Sequence, residues 1–124
     1  MTEPLALILY ERLLPGSQLV NRLQDLGYRV QTLGEAGRLV ECAEQVKPLV
    51  VLADLQSTRN DVCASIARLK QHPATRHLPV IAFGAESTAD WQAAAKAAGA
   101  TLVVSEAAIL NHLPQFLDQA LQVE

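Results

Sequence analysis

Leu49-Val50-Val51-Leu52-Ala53-Asp54 decides how this chain folds. Five apolar residues follow Pro48 and end in a carboxylate, and past Leu55 the chain turns polar through Gln56-Ser57-Thr58-Arg59-Asn60. A short apolar run bounded by a proline and a polar loop reads as a strand buried on both faces, which requires a parallel sheet. In open sheets of that kind, ligands and chemistry lie just past the carboxyl ends of the strands. Asp54 is therefore a carboxylate placed where function commonly lives.

Outward from this strand the pattern alternates. Leu5 to Leu9 is a second uninterrupted apolar run, hence a central strand. Pro15-Gly16 is expected to break the chain and Ser17 to cap a helix bearing Leu19, Val20, Leu23 and Leu26, stopped by Gly27. Tyr28 to Leu33 alternates polar and apolar residues, as an edge strand does. A second helix starts near Gly37, turns Leu39, Cys42, Ala43 and Val46 to one side, and ends before Pro48. Asn60 or Asp61 caps a third, with Val62, Ile66 and Leu69 inward, closed by His72-Pro73. Val80 to Phe83 is a strand ending at Gly84. Ser87 caps an alanine-rich helix that stops at Gly99, and Thr101 to Val104 is the fifth strand. Asn111 is expected to cap the last helix, which tolerates Pro114 in its first turn and carries Leu113, Phe116, Leu117, Ala120 and Leu121. Strand and helix thus alternate five times, predicting helices on both faces joined by right-handed crossovers.

Composition narrows the function classes. The 124 residues form one expected domain, 1–124, large enough for a core without metals or disulfides. The net charge of −3 argues against an electrostatic nucleic-acid binder. No segment reaches the roughly 18 uncharged apolar residues of a membrane helix. Met1-Thr2-Glu3-Pro4 lacks a signal-peptide start, so a cytoplasmic location is expected. Cys42 and Cys63 are read as reduced small hydrophobes, and His72, His77 and His112 show no metal spacing. Bulky Tyr10-Glu11-Arg12-Leu13-Leu14 after the first strand excludes a glycine-rich phosphate loop, and there is no nucleophile elbow or Cys/His pair. The chain is not expected to be an enzyme.

Three stretches carry a resemblance over nearly the whole length: Pro48 to Leu55, the segment Leu69 to Ile81 (LKQHPATRHLPVI), and Gly99-Ala100 before the fifth strand. Together they resemble the receiver (CheY-like) domains of two-component response regulators. The resemblance implies a flavodoxin-like α/β fold, a five-stranded parallel sheet in order 2-1-3-4-5, with a site at the carboxyl ends of strands one, three, four and five. In that family an acidic pair and an acceptor aspartate hold Mg²⁺, a hydroxyl after strand four binds the phosphoryl group, and a lysine after strand five neutralises it. Asp54 matches the acceptor. The acidic pair falls on Tyr10-Glu11, leaving Glu11 and Asp54 as a weakened Mg²⁺ site; no other cofactor is implied. The hydroxyl position is Gly84, and the lysine position is Glu106, followed by Ala107.

The cost of these departures is large. Unit charges about 4 Å apart at an effective dielectric near 20 interact by roughly 4 kcal/mol, so Glu106 turns an attraction of that size into repulsion. The missing hydroxyl removes a charge-assisted hydrogen bond worth about 1.5–3 kcal/mol. The resemblance therefore implies a pseudo-receiver, a phosphorelay-type signalling module acting by protein–protein interaction on a histidine kinase or downstream regulator. Three readings of Asp54 stay open: a carboxylate satisfied by Arg59 or Arg12, a retained phospho-acceptor, or part of a Glu11/Asp54/Glu106 divalent-cation sensor. Trp91, in the first turn of the fourth helix, is either core packing or a hot spot on the partner face of helix four, strand five and helix five, which would also serve a homodimer. Arg68, Lys70, Arg76 and His77 are read as a solvated helix end and loop, not a nucleic-acid surface.

Overall fold

The computed structural model describes residues 5–9, 13–34, 36–54, 62–84 and 89–122, and for 13–16, 36, 63, 89–92, 94, 106, 107 and 120–122 the backbone alone. The elements in order are β1 (Leu5–Leu9), α1 (Leu13–Asp25), β2 (Arg29–Leu33), a 3₁₀ turn (Ala36–Arg38), α2 (Leu39–Val46), β3 (Val50–Asp54), α3 (Val62–Gln71), β4 (Val80–Gly84), α4 (Ala89–Ala98), β5 (Leu102–Ser105), α5 (Glu106–Asn111) and α6 (Leu113–Gln122). All strand pairs are parallel, in the order β2-β1-β3-β4-β5.

The two-residue period of a strand divides the core in two. Leu7 and Leu9, Val51 and Ala53, and Val80 and Ala82 face Leu39 and Ala43 of α2, Val62, Ile66 and Leu69 of α3, and Ala95 of α4. Their neighbours Ala6 and Ile8, Val50 and Leu52, and Ile81 and Phe83 face Leu19 and Leu23 of α1, Ile109 of α5, and Leu113 and Leu117 of α6. β3 and β4 are buried at every position, which is why both read as unbroken apolar runs. Full burial of each large side chain contributes about 1.5–3 kcal/mol, so this double layer dominates the stability of the fold. β2, at the edge, half-buries its apolar Val30 and Leu33 and exposes Arg29, Gln31 and Thr32. Ala95 is fully buried, a small side chain that brings α4 close to the sheet, whereas Ala93 and Ala97 are exposed.

Four local expectations are corrected. α1 begins at Leu13 and passes through Pro15-Gly16 instead of starting after them. Pro15 is the third residue of the helix, where backbone N–H groups have no intrahelical partner and none is lost. Leu26 does not join the inward stripe: α1 has ended, Gly27 takes φ +89°, and Leu26 is 43% exposed. Leu49 donates its N–H to the Leu5 carbonyl at 2.7 Å but precedes the paired strand and is also 43% exposed. The last helical segment is double. Ser105 accepts the Ala108 N–H at 3.1 Å and starts α5; Asn111 ends that helix rather than capping the next, and His112 links it to α6. The helix expected as the fifth is therefore α6. The caps expected at Asn60, Asp61 and Ser87 lie outside the described residues. Among the described residues no helix is long and apolar enough to cross a membrane.

Candidate functional site

The carboxyl ends of β3, β4 and β5 finish level. Asp54 pairs in register with Phe83, and Gly84, one residue on, pairs with Ser105. This rim gathers three of the positions singled out in the sequence: Asp54, Gly84 and the backbone of Glu106, which follows Ser105 directly. Asp54 is 1% exposed, a nearly complete burial for a carboxylate, and it is engaged in a polar interaction rather than isolated. A carboxylate withdrawn from water must find partners. Arg59 and Arg12, the partners considered for it, lie outside the described residues, as do Tyr10 and Glu11.

Gly84 closes a fully buried strand and offers no side chain beside Asp54. The position that the resemblance assigns to a lysine has been absorbed into a helix. Ser105 spends its hydroxyl on the Ala108 N–H, so Glu106 becomes the first residue of α5. An acidic residue suits a helix start, where the helix dipole favours negative charge, whereas a lysine there would be disfavoured. The side chain of Glu106 lies outside the description, and so does that of Trp91, whose backbone occupies the first turn of α4 as expected.

A hard divalent cation needs several oxygen donors. Asp54 is a suitable ligand; Glu11, the other donor expected, lies outside the described residues. Among the described residues no group of three His, Cys, Asp or Glu side chains could hold a metal ion.

At the opposite rim, the segment Leu69–Ile81 behaves as a packed turn rather than a solvated one. Thr75, 1% exposed, donates its hydroxyl to the Leu69 carbonyl at 2.7 Å. Lys70 corrects the solvated reading of its cluster. It is half-buried, its Nζ donates to the Leu78 carbonyl with that of Arg76 at 3.5 Å, and burial holds its pKa below the usual lysine value. Its stem lies against Gly99, joining the turn after α3 to the turn before β5. Thr101 completes this rim, donating its N–H to the Val80 carbonyl and accepting the Val80 N–H at 3.1 Å. The sequence signal for Lys70 was present in its place between Leu69 and the prolines, but only packing separates such a lysine from a surface one. Cys42 is a half-buried free thiol; burial, against the opposing pull of Arg38, raises its pKa.

No protein-family model matches the sequence, and no curated protein does. Solved structures do. The receiver domain of the sensor histidine kinase PA1611 from Pseudomonas aeruginosa, which carries a magnesium ion in its active-site cleft, superposes with a TM-score of 0.87 at 18% identity, covering 98% of this chain and 99% of that one. The chemotaxis protein CheY4 of Vibrio cholerae gives 0.85 at 17% identity over 96% and 99%. The receiver domain of a signal transduction histidine kinase from Syntrophus aciditrophicus gives 0.84 at 19% identity over 96% and 90%. With its strand order, its two helical layers and these superpositions, the chain has the fold of response regulator receiver domains.

Proposed function

We propose that this chain is a receiver-like module of a two-component, phosphorelay-type pathway that works by protein–protein interaction without being phosphorylated. The observation that carries the reading is the end of β4: Gly84 lies one register step past the partner of Asp54, so a phosphoryl group on Asp54 would meet no hydroxyl there. Glu106, opening α5 where receivers keep a cation, adds repulsion to that loss. The core of the fold does not depend on either group, so the module keeps its surfaces while its chemistry is disabled. Its partner is a histidine kinase or a downstream regulator, held on the face of α4, β5 and α6 with Trp91 as the anchoring side chain; a second copy of the chain is the alternative occupant. Mg²⁺, if held by Glu11 and Asp54, binds weakly, because Tyr10 supplies no anionic oxygen.

The test is incubation with acetyl phosphate and Mg²⁺, read by intact mass, and with beryllofluoride, read by fluorine NMR. Wild type is expected to give no adduct and Glu106→Lys very little. Tyr10→Asp, Gly84→Thr and Glu106→Lys combined should give a measurable one, since the three groups surround one ligand and their effects are coupled. A wild-type adduct abolished by Asp54→Ala would establish a working receiver and overturn the reading. Saturation by Mg²⁺ at low millimolar concentration without phosphorylation would favour the cation sensor instead.

A further inference from the structure

The basic cluster at the end of α3 finds no use in the reading above. From Val62 to Ala85 the chain contains no aspartate or glutamate, yet it carries Arg68, Lys70, His72, Arg76 and His77, in a protein of net charge −3. Lys70 is committed to backbone carbonyls. Arg68 and His72 border a cleft of about 370 Å³ between α2 and α3, lined by Gly37, Val40, Arg68, Gln71, His72 and Pro73. That volume is within the range of sites that take a small ligand or one large side chain.

The walls are chemically distinct. Val40, Gly37 and Pro73 give an apolar surface. The His72 ring adds to it, because both of its nitrogens are occupied: Nδ1 accepts the Ala74 N–H at 3.1 Å, and Nε2 faces Glu44 Oε1 at 2.9 Å. The same bond occupies Glu44, and Glu41, the other carboxylate of this stretch of α2, lies close enough to Cys42 to raise its pKa. Arg68 is exposed and is steadied by one bond from Nη2 to the hydroxyl of buried Ser65 at 3.3 Å. A guanidinium has five N–H donors, and among the described residues no carboxylate pairs with this one. Arg38, adjoining Gly37, and Arg76, whose N–H bonds the His72 carbonyl at 2.9 Å, are both exposed.

We infer that this cleft is a docking site for an acidic peptide segment of a partner protein, seating one aliphatic or aromatic side chain against Val40 and Pro73 and a flanking carboxylate on Arg68. Charge complementarity selects that occupant: an apolar pocket bordered by a guanidinium that has no carboxylate partner among the described residues, in an otherwise acidic chain. Nucleic acid fits less well, because among the described residues no tryptophan, tyrosine or phenylalanine lines the cleft to stack a base. The inference does not rest on the phosphorylation state of Asp54.

The test is selection of a random heptapeptide library on the full chain, followed by titration of the enriched peptides into ¹⁵N-labelled protein. Enriched sequences should combine Asp or Glu with a large apolar residue, and amide shifts should centre on Val40, Arg68, Gln71 and His72. Arg68→Glu should weaken binding by roughly tenfold or more, and Arg68→Lys by less, because a point charge replaces a bidentate fork. A well-dispersed spectrum of each variant controls for folding. Enrichment without acidic residues, shifts mapping elsewhere, affinity unchanged by Arg68→Glu, or displacement of the peptide by an oligouridylate at lower concentration would each overturn the proposal.

Discussion

Replacing Gly99 by alanine should cost more than replacing Gly27, and the difference should trace to Lys70. Both glycines have positive φ, +114° and +89°. For an L-residue that conformation costs about 1–2 kcal/mol. At Gly27 nothing lies within 4 Å of an added Cβ, so this strain is the whole effect. At Gly99 the new methyl would sit 2.7 Å from Lys70 Cγ and 3.2 Å from its Cβ. Those atoms are at the base of the side chain, so relief requires turning Lys70 about its first torsions. That movement carries Nζ away from the Leu78 and Arg76 carbonyls. A hydrogen bond from a charged donor is worth about 1.5–3 kcal/mol, and half-exposure reduces this to about 1 kcal/mol. Gly99→Ala should therefore destabilise by about 2–3 kcal/mol against about 1–2 kcal/mol for Gly27→Ala. Gly37→Ala, with open space and no positive φ, should be near neutral. Urea denaturation at constant m-value measures all three. In a Lys70→Ala background, which removes Cγ and Nζ but keeps Cβ, most of the extra penalty at Gly99 should disappear, a coupling of about 1 kcal/mol. Equal costs at Gly99 and Gly27, or no coupling to Lys70, would refute the latch that this contact describes.

Two further outcomes follow from the same packing. Burial, reinforced by the charge of Asp118, raises the Tyr28 pKa above its ordinary value of 10.0. The folded state then keeps the phenol proton longer than the unfolded one, so stability falls as pH climbs through that value. Lys70, with its pKa held below 10.5 by burial, acts with the opposite sign, since its folded form releases a proton first and stability rises toward 10.5. Denaturation midpoints between about pH 8 and 11 should decline less in Tyr28→Phe and more steeply in Lys70→Met than in wild type. Ser105→Ala should cost about 1 kcal/mol by removing the cap of α5, and Ser105→Asn should restore most of it, as measured by the same denaturation series.

How far the sequence could be read depended on where the free energy comes from. β1, β3 and β4 were legible because burial on both faces leaves no polar position to confuse the pattern. The edge strand β2 was legible for the converse reason. Ends were harder. Pro15-Gly16 reads as a break, yet it is tolerated in a first turn that needs no N–H, and α5 is a six-residue helix whose signal is one serine ahead of helix-forming residues. Leu26 and Leu49 continue their apolar patterns past the point where the structure covers them.

The site obeys different rules. A site at loop-facing strand ends depends on single side chains that the core does not use. Gly84 occupies the last position of a fully buried strand without disturbing its register, and Glu106 is even favoured as the opening residue of a capped helix. The fold therefore accommodates glycine and glutamate at these two positions without cost to its core. The double core is complete on both faces of the sheet, and Asp54 is buried beside a strand end, Gly84, that carries no hydroxyl. The cleft between α2 and α3 escaped the sequence for a related reason. Arg68, Lys70, Arg76 and His77 form one basic cluster in sequence, and only the fold separates the lysine that latches two turns together from the arginine left facing solvent.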